Sequence, residues 1–219
     1  MNSNDNTYIK FDCLWNGTPT AISTPDETSL ETIEALTALR NKLYEVGVIG
    51  MGADGIGFGN VSVRHPLHPK MFWISGTQTG GFATLTPNDY SLITAYDIHQ
   101  NKVYCTGKRR ASAETLTHAA VYEAAPNTRF VAHIHAREAW QSCMNSDATL
   151  PIKTDIAAAY GTPAMALAIK RAVKELLLHE AANNDHLRRI VVMSGHEEGF
   201  VVFGTTTEEV YEAIKNGII

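Results

Sequence analysis

The sequence predicts an α/β protein, a three-layer α/β/α domain around a central, largely antiparallel sheet. Two kinds of pattern lead there. Apolar segments a few residues long are joined by turn residues, as in Leu92–Asp97, His99–Asn101 and Lys102–Thr106, and such strand-turn-strand units build antiparallel sheets. Between them lie stretches whose apolar residues recur at helical spacing, clearest over residues 27–46.

Composition sets the outer limits. A chain of 219 residues, 44% hydrophobic, can bury roughly 70% of the surface its unfolded form exposes, enough for one core. No repeat, low-complexity tract or linker divides it, so a single domain over 1–219 is expected, with residues 1–26 as an N-terminal hairpin extension. The net charge of −5 argues against a nucleic-acid surface, and the only basic run is Lys108-Arg109-Arg110. Cys13, Cys105 and Cys143 match neither a zinc spacing nor a disulfide framework, which suits a reducing cytoplasm. Residues 1–7 lack the features of a signal peptide, and no apolar run reaches the roughly 18 residues of a membrane helix. A cytoplasmic protein with neither membrane nor nucleic-acid partners is the expectation.

In chain order, Tyr8–Trp15 alternates and meets Asn16-Gly17, the signal of a tight hairpin. After Ser23-Thr24-Pro25-Asp26, Leu30, Ile33, Leu36, Leu39, Leu43 and Val46 mark the apolar face of a helix that Gly47 can end. Gly50–Asn60 holds five glycines and leads into the alternating Val61–Arg64; it is either a backbone cradle for an anion or a flexible turn. Phe72–Ser75 opening into Gly76–Gly81 repeats the arrangement. His99 is expected to be an exposed turn residue.

Ser112 can cap a helix with Leu116, Ala120 and Val121 on its apolar face, which puts Glu114 in the first turn and on one face with His118, a pairing more often found on surfaces than in catalysis. Pro126-Asn127 then returns the chain beside the helix start. A helix from Ala136 to Met144, a segment at Leu150–Ile152 and a long helix from Thr162-Pro163 to Leu178 follow, with His179 and His186 at its polar end expected to be solvated. Arg189–Met193 and Phe200–Phe203 are strands around the turn Ser194–Gly199, which puts His196 at a strand mouth, and a last helix is expected near 208–215.

The most informative stretch is Phe130–His135. Phe130, Val131, Ala132 and Ile134 suit a buried strand, where residues two apart share a face, so the imidazoles of His133 and His135 project together. Two buried imidazoles need two partners, and one bound cation supplies both.

Five motifs in order, GNVSVR at 59–64, ISG at 74–76, SAE at 112–114, HIH at 133–135 and GHEEG at 195–199, resemble the class II aldolase/adducin family, and within it the L-fuculose-phosphate aldolases. The resemblance spans about residues 28–216. It implies a zinc site on His133, His135 and His196, or another divalent metal there. It also implies Glu114 beside the metal as ligand or proton carrier, and a homotetramer. In sugar-phosphate members the phosphate would meet Asn60, Ser75, Gly76, Thr77 and Ser112. Departures are Ala113 in place of a second serine, an extra residue in the loop after Ser75, and Glu197 where glycine is usual. A tyrosine that some members place just before an alanine-rich stretch is also missing ahead of Ala157–Ala159, where Lys153-Thr154-Asp155 stand.

The implied reaction is cleavage of a carbon–carbon bond of a sugar or sugar phosphate through a metal-stabilised enediolate, with Glu114 moving the proton. Dehydration, epimerisation and decarboxylation share that chemistry, and an adducin-like module would keep the fold without turnover; retention of Glu114 with all three histidines argues against the module.

Overall fold

The computed structural model describes residues 11–17, 26–183 and 189–219. The first elements among the described residues are strand β1 (Asp12–Asn16) and helix α1 (Glu27–Glu45), then a two-stranded ribbon of β2 (Gly50–Met51) and β3 (Gly57–Phe58). Four strands follow, β4 (Asn60–Arg64), β5 (Phe72–Ser75), β6 (Tyr90–Asp97) and β7 (Lys102–Thr106), and then helix α2 (Thr115–Ala124). The second half runs β8 (Phe130–His135), α3 (Arg137–Met144), β9 (Ile152–Lys153), α4 (Pro163–Asn183), β10 (Ile190–Val192), β11 (Gly199–Gly204) and α5 (Thr207–Gly217).

Among the described residues, nine strands form one mixed sheet in the order β1-β7-β6-β5-β4-β8-β11-β10-β9. Every pairing from β7 to β10 is antiparallel, whereas the two edge pairs, β1 with β7 and β9 with β10, are parallel. The sheet is therefore antiparallel only in its interior. β1 joins β7 as an edge strand, and the return strand of the expected N-terminal hairpin falls on residues 18–25, outside the described residues.

Alternation along the central strands divides the core in two. Phe72, Ile74, Val131, Val201 and Phe203 point to one face and pack with α2 and α4. Trp73, Phe130, Ala132, Ile134, Phe200 and Val202 point to the other and pack with α1 and α5. In α1, Asp26 caps the helix by accepting from Ser29 N (2.9 Å). The buried stripe is Ile33, Leu36, Leu39 and Leu43, while Leu30 and Val46, expected on the same face, are each more than one third exposed. The stripe also carries Arg40, 1% exposed. α2 is buried all round from Thr115 to Tyr122 because the sheet and α4 enclose it.

The glycine-rich 50–60 segment is a short ribbon, not a flexible turn. At Gly59 φ is +76°, and a Cβ there would lie 2.7 Å from Ile49 Cγ1 and 3.2 Å from the His133 carbonyl, so only glycine lets the ribbon pass this close to β8.

Candidate active site

The site lies where β4, β8 and β11 lie side by side. Asn60 and His133 are register partners across β4 and β8, and His135 is paired with Gly199 at the start of β11, which brings the 194–199 turn over the histidines. That turn is fixed by His196 N donating to Met193 O (3.0 Å) and Gly199 N donating to His196 O (2.9 Å), with Glu198 in the left-handed region at φ +67°. His135 Nε2 and His196 Nε2 are 3.1 Å apart, and one ligating atom each from His133, His135 and His196 lie within 4.8 Å of one another.

Burial lowers the pKa of His133 well below the ordinary histidine value, and takes that of His135 to about 4. Both rings are neutral at physiological pH, the form that binds a metal. His133 Nε2 is a buried atom with no hydrogen-bond partner among the described residues. Tetrahedral zinc with Zn–N bonds of about 2.0–2.1 Å requires nitrogens roughly 3.4 Å apart, so the set fits one ion after small side-chain adjustments. Among the described residues this is the one cluster of histidines, cysteines or carboxylates with such geometry.

Glu114, 3% exposed, lies on the same cavity, with Oε2 accepting from Thr117 Oγ1 (2.5 Å). It is the N-cap residue of α2 and not a member of its first turn: the helix begins at Thr115, and Ser112 contributes a preceding turn in which its carbonyl accepts from Thr115 N (3.1 Å). Glu114 and His118 are both buried, so the bland alternative of a surface pair does not apply. His118 is fully enclosed, its Nδ1 is 2.7 Å from Ser62 Oγ, which is 2.8 Å from Tyr122 Oη, and burial pushes its pKa down to about 3.

The cavity, about 160 Å³, is walled by Asn60, Gly76, Thr77, Ser112, Glu114, His133, His135 and His196 together with Gly57–Gly59, Gln78–Gly80 and Tyr160. Ser75 stands apart from the other expected substrate contacts: it is behind the wall, with its hydroxyl accepting from Val61 N (3.1 Å). The 76–80 loop is tied from behind by buried Arg40, whose guanidinium donates to the carbonyls of Thr79 (3.0 Å), Gly80 (2.8 Å) and Ala83 (3.1 Å). Of the other histidines, His99 is exposed as expected, His179 is half-buried, and His186 lies outside the described residues.

Tyr160 is the residue sequence reasoning missed. It follows the Ala157–Ala159 stretch instead of preceding it, and its ring lies 4.7 Å from that of His196. Its signal was an aromatic at the end of an alanine-rich loop.

The family model described as class II aldolase and adducin N-terminal domain matches residues 48–216. The chain belongs to this family. Three solved structures show the same fold at low identity. The L-fuculose-1-phosphate aldolase of Thermus thermophilus has a TM-score of 0.57 and 20% identity, over 84% of this chain and 87% of that one. The sugar-phosphate aldolase of Thermotoga maritima has a TM-score of 0.61 and 15% identity, over 85% and 90%. YgbL of Klebsiella pneumoniae, an aldolase/epimerase/decarboxylase candidate, has a TM-score of 0.59 and 16% identity, over 85% and 84%. No curated protein matches in sequence. No helix among the described residues is long and apolar enough to cross a membrane.

Proposed function

We propose that the protein is a zinc-dependent lyase of the aldolase type, cleaving a carbon–carbon bond of a sugar or sugar phosphate, with another divalent metal as the alternative occupant. The observation that carries the reading is the convergence of three histidines and the buried carboxylate of Glu114 on one cavity. His133, His135 and His196 would hold the ion, which would supply Lewis-acid stabilisation of negative charge developing on adjacent substrate oxygens.

The remaining roles fall to the chain's own groups. Glu114 has one carboxylate oxygen engaged by Thr117 and is, among the described residues, the one acid lining the cavity, so it is the group assigned to carry a proton to and from the substrate. Asn60, Gly76, Thr77 and Ser112 line the other side and would meet the substrate's polar end, including the phosphate of a phosphorylated substrate. Ser75 would act through the backbone of Val61. Phe58, which stacks on His135 (ring centroids 5.2 Å), and Tyr160 contribute apolar surface to the wall beside the histidines, which strengthens electrostatic interactions there.

Epimerisation, dehydration or decarboxylation would use the same groups, and the likeness to YgbL keeps these as the second reading. The homotetramer and the cytoplasmic setting belong to the proposal; the free thiols of Cys13, Cys105 and Cys143 suit the latter. The test is aldehyde release from L-fuculose 1-phosphate and unphosphorylated ketoses by zinc-loaded protein. Glu114→Gln is expected to lower the rate about a hundredfold or more while retaining zinc. Full activity in the zinc-loaded variant would remove Glu114 from its role. Absence of aldehyde from every substrate, with epimerised, dehydrated or decarboxylated product instead, would overturn the aldolase reading.

A further inference from the structure

His133 and Asn60 form a buried pair with a polarity problem. Asn60 Nδ2 lies 3.2 Å from His133 Nδ1. Among the described residues, His133 Nε2 on the far side of the ring has no hydrogen-bond partner, and neither has Asn60 Oδ1. A neutral imidazole carries one N–H and one bare nitrogen. If the amide NH2 donates to Nδ1, the ring proton must sit on Nε2, which is then a buried donor with no acceptor and has no lone pair for a cation. Exchanging the oxygen and nitrogen of the amide, which have nearly the same shape, reverses this. Oδ1 then accepts from Nδ1–H, and Nε2 presents its lone pair.

The neighbouring histidines favour the second arrangement. His135 and His196 approach each other through Nε2, so the ligating side of the cluster is the Nε2 side. His135 has its Nδ1 toward the Glu198 carboxylate, 3.8 Å from Oε2, a group that can only accept. Glu198 is in turn held by Arg137 Nη2 at 2.5 Å from its Oε1. At His135 a carboxylate thus lies on the Nδ1 side and Nε2 faces the cluster, and Asn60 stands in the matching place behind the fully buried ring of His133.

We infer that Asn60 is a positioning residue that accepts the Nδ1 proton of His133 through Oδ1, fixing the tautomer in which Nε2 is a metal ligand. The inference rests on the metal reading above and gives Asn60 a role distinct from contact with a substrate phosphate. Its register pairing with His133 makes the contact a property of the β4–β8 pairing, independent of substrate.

The test uses zinc affinity, read by competition with a chromophoric chelator, in wild type, Asn60→Ala and Asn60→Asp. Asn60→Ala removes the acceptor and is expected to weaken zinc about 10- to 100-fold, the usual effect of losing such a partner. Asn60→Asp keeps an acceptor and cannot donate, so zinc is expected to bind as tightly as in wild type or tighter. Because a carboxylate also attracts the cation directly, ¹⁵N-histidine NMR of zinc-loaded wild type is the second readout, with His133 expected to be protonated at Nδ1. Wild-type affinity in Asn60→Ala, equal losses in both variants, or no Nδ1–H on His133 would overturn the inference while leaving the metal site intact. Wild type without zinc would overturn both.

Discussion

Arg40→Met tests the idea that the wall of the cavity is built from behind. The guanidinium is 1% exposed and donates to three carbonyls of the 79–83 segment, while Tyr44 lies beneath it at 4.8 Å. Bonds from a charged donor contribute about 1.5–3 kcal/mol each, or about 4.5–9 kcal/mol for three. Release of the buried charge's desolvation cost, several kcal/mol, offsets part of that loss, and about 3–5 kcal/mol of destabilisation remains. Methionine fills most of the space of the aliphatic stem, so little of this is cavity formation. At about 2–4 °C per kcal/mol for a chain of this size, Tm should fall by about 6–20 °C. Thermal melts give the global effect, and hydrogen exchange at the amides of Thr77–Gly80 gives the local one, which should rise more than exchange in β8. A shift under about 2 °C with unchanged exchange in the loop would refute the reasoning, since the three bonds would then contribute almost nothing net.

Two further predictions concern pH and assembly. Burial takes His118 to about 3 in the folded protein, against about 6.5 unfolded. The unfolded chain therefore takes up the proton first, and stability is full above about pH 6.5 and falls as pH drops toward 3. Between pH 7 and 5 this histidine should account for about 2 kcal/mol of lost stability, read from urea midpoints, and His118→Gln should flatten the slope by that amount; an unchanged slope would contradict the assignment. Light scattering is expected to give four times the 23.9 kDa chain mass, and a monomer would remove the proposed tetramer.

Much of the site was legible because it lies on regular structure. The period of two in Phe130–His135 put both imidazoles on one face, and the pairing of β8 with β4 and β11 turned that face toward Asn60 and the 194–199 turn. α1 was legible from its spacing, although the sequence could not show that Arg40 rather than Leu30 or Val46 would be enclosed. That choice depends on the 79–83 carbonyls, which come from a loop some forty residues away. Helical spacing put Glu114 and His118 on one face but could not show what covers that face; α4 and the sheet cover it. The helix start was misplaced because Ser112, whose hydroxyl accepts from Glu114 N (3.4 Å) and whose carbonyl accepts from Thr115 N (3.1 Å), closes a separate turn ahead of the helix, and the same serine signal serves a turn or a cap. Tyr160 reaches His196 through an irregular loop, where position carries no period to read. The parallel pairing of β1 with β7 joins segments some ninety residues apart, and no local pattern in either carries it.

The most direct test of the central claim is the metal content of purified protein after zinc loading and removal of free metal, in wild type and in His133→Ala, His135→Ala and His196→Ala. One zinc per wild-type chain, lost in each variant that retains its fold by thermal melt, is the expected result. The same sub-stoichiometric zinc in wild type and His135→Ala would contradict the site.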